Sequence, residues 1–313
     1  MDKLRPIGIR LLQTIPSIIA VSLLSFFLLR FAPGDPARVI AGPRASDETV
    51  ETLRESMGLD QPILVQYWHY VQRAVTGDFG QNLTGSSSVS EIVADGAVVT
   101  IWLAITSIIL MLAISLPLAI LAARKPDGVV DTIVRVFSVG GLALPSFWVG
   151  LMLIVYVAVP TGWFPVGGWP DEPAARLQAV VLPALTLTIS LAPILVRSLR
   201  SALIEVLGSD YVLAAKAASV APSRVLSSYV VRNAMLPSVP LFAIIVSFLL
   251  GGTVIVESVF SLPGLGQRLV AAVSTRDANL VQGITLVLGT SIVLIYLAAD
   301  VALSFIDPRV RNR

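Results

Sequence analysis

The stretch Ser209 to Pro237, SDYVLAAKAASVAPSRVLSSYVVRNAMLP, is a polar, alanine-rich island between two strongly apolar segments. Ser209 or Asp210 is placed to cap the free backbone N–H groups of a helix. Pro222, which lacks a donor and disfavours helix just before it, ends the run. Tyr211, Ala214, Ala215 and Ala218 recur at helical spacing on one face, with Lys216 on another. A helix this short is marginal alone, because few hydrogen bonds offset the cost of its nucleus, so something else must hold it. Ser223 can cap a second helix from Arg224 to about Met235, which leads through Leu236-Pro237 into the next apolar run. A smooth alanine surface with one aromatic anchor suits a preformed groove on another protein, where few side chains need ordering. The competing reading is a loop helix lying flat on a membrane surface.

The flanking segments decide between solvent and bilayer. Of 313 residues 55% are hydrophobic and only 13% charged, about half the charged fraction of a soluble domain. The balance predicts an all-α, polytopic membrane protein. Ile9 to Leu29 is an apolar run of about 31 Å as a helix, enough to cross a hydrocarbon core of about 30 Å. Its length, and Arg30 after it without a small-residue cleavage pattern, favour a retained span over a signal peptide. Further spans are expected at about Val98–Ala122, Ile133–Val159, Ala179–Val196, Leu236–Val256 and Leu280–Ile306. Six spans put both termini on one side.

Basic residues set the side. Of 22 Arg and Lys, 14 fall on the termini and on the loops that share their side, and seven on the opposite loops. Both termini, with the island at 209–235, are therefore expected in the cytoplasm. The expected organisation is a cytoplasmic N-terminus and first span over 1–30, an extracytoplasmic helical insertion over 31–96, a five-span core over 97–306 and a cytoplasmic tail over 307–313. In the insertion, Ser46-Asp47-Glu48 starts a helix with Val50, Leu53 and Met57 on one face, and Gly58 stops it. Pro62 opens a second, with Leu64, Trp68, Val71 and Val75 on one face and Gly77 at its end. Trp68 beside Tyr67 and Tyr70 suits a helix at the membrane interface.

Several breakers recur inside the spans. Gly140-Gly141 and Pro145-Ser146 interrupt the third, Pro183 and Pro193 bracket the fourth, and Pro237, Pro240 and Gly251-Gly252 loosen the fifth. Irregular backbone at membrane depth is tolerated when packed in protein or lining a watery cavity. Small residues equally serve close helix packing. Glu257 ends the fifth span with a charge, and Pro263-Gly264-Leu265-Gly266 makes a tight reversal. Asp300 is the one acidic residue inside an expected span; it either lines a cavity or pairs with a basic residue such as Arg197.

Catalytic chemistry finds no support. The chain has no cysteine and a single histidine, His69, among aromatics with no second ligand nearby, so no metal site is expected. None of the three lysines follows the glycines of a phosphate-binding loop, so any ATP must be hydrolysed by another polypeptide.

Asp210-Tyr211-Val212, Ala214-Ala215-Lys216-Ala217, Val231-Arg232-Asn233-Ala234 and Leu236-Pro237 resemble the "EAA" cytoplasmic loop of binding-protein-dependent ABC importer permeases, in the B-type form of the oligopeptide/dipeptide (and nickel) branch. The resemblance continues through Arg30-Phe31-Ala32-Pro33-Gly34-Asp35-Pro36-Ala37, Gly58-Leu59-Asp60-Gln61-Pro62, Gly77-Asp78-Phe79-Gly80 and Asp307-Pro308-Arg309-Val310-Arg311. Two positions depart from the pattern: its acidic or threonine position falls on Leu213 or Ala214, and its glycine on Ser219. A non-glycine residue held at positive φ costs about 1 kcal/mol.

The resemblance implies a type I ABC importer permease fold in a bacterial inner membrane, for dipeptides or oligopeptides. It implies a homologous second permease subunit, two ATPase chains carrying ATP and Mg, and an extracytoplasmic substrate-binding protein, with no cofactor on this chain. Asp210, Tyr211, Ala214, Ala215, Lys216, Ala217, Ser219, Arg232 and Asn233 would couple to the ATPases. Gly141, Pro145, Ser146, Gly251, Gly252, Glu257, Pro263, Gly264, Gly266 and Asp300 are the candidates for pathway or gate. The alternatives are a self-contained secondary transporter or channel, which would want ionisable groups at midplane, and a membrane scaffold for a soluble partner, which leaves the broken spans unexplained.

Overall fold

The computed structural model describes residues 5–31, 36–42, 45–56, 58–83 and 87–306; residues 1–4, 32–35, 43–44, Met57, 84–86 and 307–313 lie outside them. Helices in chain order are α1 (Arg5–Phe31), α2 (Pro36–Ala41), α3 (Asp47–Ser56), α4 (Ile63–Val75), α5 (Val89–Arg124), α6 (Val129–Ala143), α7 (Ser146–Thr161), α8 (Pro173–Leu207), α9 (Asp210–Ala217), α10 (Pro222–Val259), α11 (Leu265–Thr275) and α12 (Ala278–Ile306). Among the described residues there is no strand, only an isolated bridge between Gln81 and Ser88. Five helices are long and apolar enough to cross a bilayer, and the bent pair α6–α7 makes a sixth crossing if it counts as one span.

At the centre, α5 and α8 lie along one another. Small residues permit this closeness: Ser107, Ser115 and Ala119 of α5 and Ala184, Thr188 and Ala192 of α8 are all buried, so the backbones approach as small-residue interfaces allow. The Thr188 hydroxyl donates both to its own helix at Ala184 O and, at 3.4 Å, to Ser107 O across the interface. Around this pair α6, α7 and α10 complete a core whose largest buried side chains include Leu103, Met111, Leu187, Ile245 and Phe260. On the outside α1 packs on α12. There Ser25 Oγ donates to Gln282 O at 2.9 Å, and Gly289 leaves room for Val21, whose Cγ1 would lie 2.6 Å from any added Cβ.

The third span departs from the expected single crossing over Ile133–Val159. The axes of α6 and α7 meet at 103°. Leu144, forced toward extended backbone by the proline after it, sits at φ −88°, ψ 126°, and Pro145, itself extended, holds the N-cap position of α7. Two boundaries also move. The second-span helix starts at Val89, capped by Ser88, nine residues before the expected start of the span at Val98. The fourth span is the middle of a 35-residue helix that includes both Pro183 and Pro193.

In the insertion, Ser46 caps α3 by accepting the Thr49 N–H at 3.2 Å. Beyond α11, buried Asp277 accepts the Leu280 N–H at the start of α12 and, at 2.8 Å, the Leu83 N–H of the insertion. One carboxylate thus fixes a helix terminus and a backbone N–H of the 31–96 insertion.

Candidate coupling and pathway sites

The island at 209–235 packs onto one end of the main core. Val212 (0% exposed) and Ala215 (8%) point inward from α9 and join Leu203 of α8 with Val225, Val230 and Ala234 of α10. Tyr211, at 44% exposure, lies outward with Ala214, Lys216, Ala217 and Ala218. The single face expected for Tyr211, Ala214, Ala215 and Ala218 is thereby corrected: Ala215 belongs to the inner face with Val212. An alanine-rich helix carries little amphipathic signal, and Val212 decides which side turns in.

The caps differ in the same detail. Ser209 holds the N-cap backbone position, but its hydroxyl donates back to Val206 O at 2.6 Å and leaves the first turn uncapped. At the other end Ser219 takes φ +55°, in the left-handed region that favours glycine. Its N–H donates to Lys216 O at 3.0 Å and the Val220 N–H to Ala215 O at 3.1 Å, the paired bonds of a Schellman stop. The turn is therefore retained, with a serine in the left-handed region.

α10 begins unevenly, with a wider π-helical stretch over Val225–Val231. Asn233 donates from Nδ2 to Tyr229 O at 2.7 Å, so its amide serves this stretch, while Arg232 is exposed.

The pathway candidates separate into distinct surroundings. Gly141 faces the point where Pro193, lacking an N–H, leaves the Ile189 carbonyl without its helical donor; an added Cβ would lie 2.9 Å from that oxygen. Pro145 and Ser146 form the bend itself. Gly252 packs on Leu187, whereas Gly251 is exposed with open space around it.

The reversal at residues 263–266 is closed. Glu257 has 0% exposure; its Oε1 accepts the Thr100 hydroxyl at 2.7 Å, and its Oε2 accepts the Gly266 N–H at 2.7 Å and the Gln267 N–H at 3.1 Å. Thr100 Oγ1 in turn accepts the Leu265 N–H at 2.9 Å. The carboxylate caps the N-terminus of α11, where a negative charge is favoured. Gly264 and Gly266 have no space for a Cβ, the first against the Glu257 carboxylate and the second against the Val254 backbone. Glu257, Gly264 and Gly266 are buried and Pro263 half-buried, so this cluster is a packed anchor rather than an open lining.

Asp300 is paired with Arg10 of α1, whose Nη1 lies 3.4 Å from Oδ1 and also donates to the Asp300 carbonyl. Arg10, not Arg197, is the partner. The pair joins the two outermost spans at one end of the membrane region, which removes Asp300 as a midplane coupling group.

Residues 115–312 match the family described as binding-protein-dependent transport system inner membrane component, and residues 4–90 the N-terminal family of the same membrane components. The chain belongs to this permease family. The permease is 37% identical to the glutathione transport system permease protein GsiC of Escherichia coli (strain K12) over 304 residues, covering 97% of this chain and 98% of that one. The GsiC protein of Salmonella typhi matches at the same identity and coverage. A chain of the MetNI methionine ABC transporter in inward-facing conformations has the same fold over 69% of the permease and 96% of its own length, with TM-score 0.55 and 20% identity. These matches agree with the oligopeptide/dipeptide-branch resemblance and make the protein an integral, multi-pass inner-membrane subunit of an ABC importer. The reading as a self-contained secondary transporter or channel falls with them.

The residue reading missed one ionic site of the permease. Arg200 of α8 holds Asp131 of α6 through Nε on Oδ1 and Nη2 on Oδ2, the latter at 2.6 Å. The Asp127 N–H donates to Asp131 at 2.9 Å, and Arg135 bridges Asp127 and Asp131. The available signal was Asp131, two residues before the expected span at Ile133, with Arg135 four positions on; nothing in the spacing points to Arg200.

Proposed function

We propose that this permease forms half of the translocation pathway of an ATP-driven importer for small peptides, with a homologous permease as its other half. Two ATPase chains supply the energy, an extracytoplasmic binding protein delivers cargo, and both termini lie in the cytoplasm. The observation that carries the reading is the outward Tyr211–Ala214–Ala218 surface of α9, seated by Val212 and Ala215 on the end of α8. Relatedness to glutathione permeases over nearly the whole chain supports a peptide cargo.

Closure of the ATPase pair on ATP displaces α9 together with the ends of α8 and α10, to which its buried Val212 and Ala215 join it. That displacement favours one of two openings of the cavity, a rigid-body population shift driven by a ligand that prefers one state. This chain contributes no catalytic group; its work is mechanical.

The test is uptake by the complete importer in proteoliposomes, with glutathione, dipeptides and longer peptides offered in turn. ATP-dependent accumulation of at least one peptide is expected. Import of some other solute class, with every peptide refused, overturns the peptide assignment; flux by this chain without ATPases overturns the subunit assignment.

A further inference from the structure

The helix α4 carries an apolar arc only half covered by protein. Tyr67 and Tyr70 press on α1, with ring centroids 5.4 Å and 5.7 Å from that of Phe26. The Tyr67 hydroxyl lies 2.7 Å from Ser22 Oγ. At about 100° per residue, half-buried Val71 comes next around the helix, followed by Leu64, Val75 and Trp68, which lie within about 40° of one another. All three are uncovered, at 78%, 82% and 60% exposure. The remaining arc holds Gln72, His69, Arg73 and Gln66 with one exposed apolar residue, Val65, among them, and Arg73 is paired with Asp78 at 3.0 Å. That guanidinium and the Gly80 N–H hold the Asp78 carboxyl below the usual range.

Depth follows from what α4 grips. Ser22 and Phe26 lie inside the apolar span Arg10–Leu28; Ser22 is six residues short of its loop-side end, or about 9 Å along the helix axis. A helix whose inner face touches α1 at that level has its neighbouring flank at the same level. There α1 also turns Ile19, Leu24 and Leu28 outward, so the uncovered flank of α4 continues the lipid-facing surface of the span.

We propose that α4 lies in the plane of the membrane, with Leu64, Trp68 and Val75 immersed in the lipid leaflet on the insertion's side and the His69–Gln72–Arg73 arc toward water. Amphipathic helices with a wide apolar arc and an aromatic at the boundary take this position. The insertion is therefore a lipid-resting element that braces the first span rather than a freely aqueous domain.

The chain has no cysteine, so single cysteines Leu64→Cys, Trp68→Cys, Val75→Cys, His69→Cys and Gln72→Cys can carry a nitroxide in the complete permease complex in nanodiscs, without binding protein. The ratio of collisions with oxygen to collisions with a water-soluble nickel chelate is expected to be several-fold higher at positions 64, 68 and 75 than at 69 and 72. Nickel access at position 64 or 68 equal to that at 69 overturns the proposal. Exclusion of both reagents, or protection only after the binding protein is added, overturns it in favour of protein contact. As a check free of labels, brominated lipids are expected to quench wild-type fluorescence more than that of Trp68→Phe; equal quenching counts against immersion.

Discussion

Arg200 grips Asp131 with both arms of its guanidinium, although the two residues stand 69 positions apart on different spans and Asp131 has no exposed surface. The pair ties the start of the broken third span to α8, the helix that ends at the island. Removing one partner strands the other charge, a loss of about 3–5 kcal/mol in buried pairs. Arg200 keeps 18% of its side chain exposed, so Asp131→Ala is expected at the lower end, about 3 kcal/mol, read by thermal unfolding in detergent. The double variant D131L/R200M is expected to recover most of it. An unchanged melting temperature for Asp131→Ala refutes the assignment.

The Glu257 knot is similarly exposed to single substitutions. Glu257→Ala leaves the Gly266 and Gln267 N–H groups and the Thr100 hydroxyl without their acceptor; at about 1–3 kcal/mol per buried group left unpaired, the loss is about 3 kcal/mol or more. Thr100→Val is expected to cost less, since Glu257 keeps its two backbone donors. If Thr100→Val proves the more damaging in unfolding measurements, the hydroxyl and not the carboxylate is the anchor.

Ser219 is a site for improvement. Glycine has no Cβ to clash at φ +55°, so Ser219→Gly is expected to stabilise the turn by about 1 kcal/mol. Slower hydrogen exchange at the Val220 N–H checks this. Faster exchange there would mean that the serine is not strained.

The two faces of α9 predict opposite phenotypes. Ala214→Glu changes an outward surface and is expected to leave the permease folded while abolishing co-purification of the ATPases. Ala215→Glu places a charge in the core beside Val212 and is expected to destabilise the chain itself, by about 3 kcal/mol or more. Wild-type uptake by Ala214→Glu disproves the docking surface.

Orientation has its own test. Cysteine at Ala45 is expected to react with a membrane-impermeant reagent added outside intact cells, and cysteine at Ala217 only after permeabilisation. The reverse pattern inverts the topology.

Much of this architecture is legible in apolar run length, because a hydrocarbon layer about 30 Å thick imposes it. The break near Pro145 is equally legible, since a proline and the residue before it leave few backbone options. The 103° angle is not, because it is settled by how α7 seats against Phe260 and Thr186, both near Gly150. Pairings across the chain escape for the same reason: Arg10 and Arg197 are equivalent partners for Asp300 by sequence, and only the packing of α1 on α12 selects Arg10. At the island, family-like residues locate the loop, while the inward turn of Ala215 depends on Val212 meeting Leu203 and Val230.

The length of α8 has a consequence for where energy enters the system. From Val196, where its apolar stretch ends, to Leu207 the helix continues for eleven residues, about 16 Å at 1.5 Å per residue. That overhang exceeds the roughly 5–8 Å of headgroup on one side of a bilayer. The ATPase chains proposed as partners would then meet a post standing clear of the lipid surface, and swapping anionic for zwitterionic headgroups is expected to leave their grip on it unchanged.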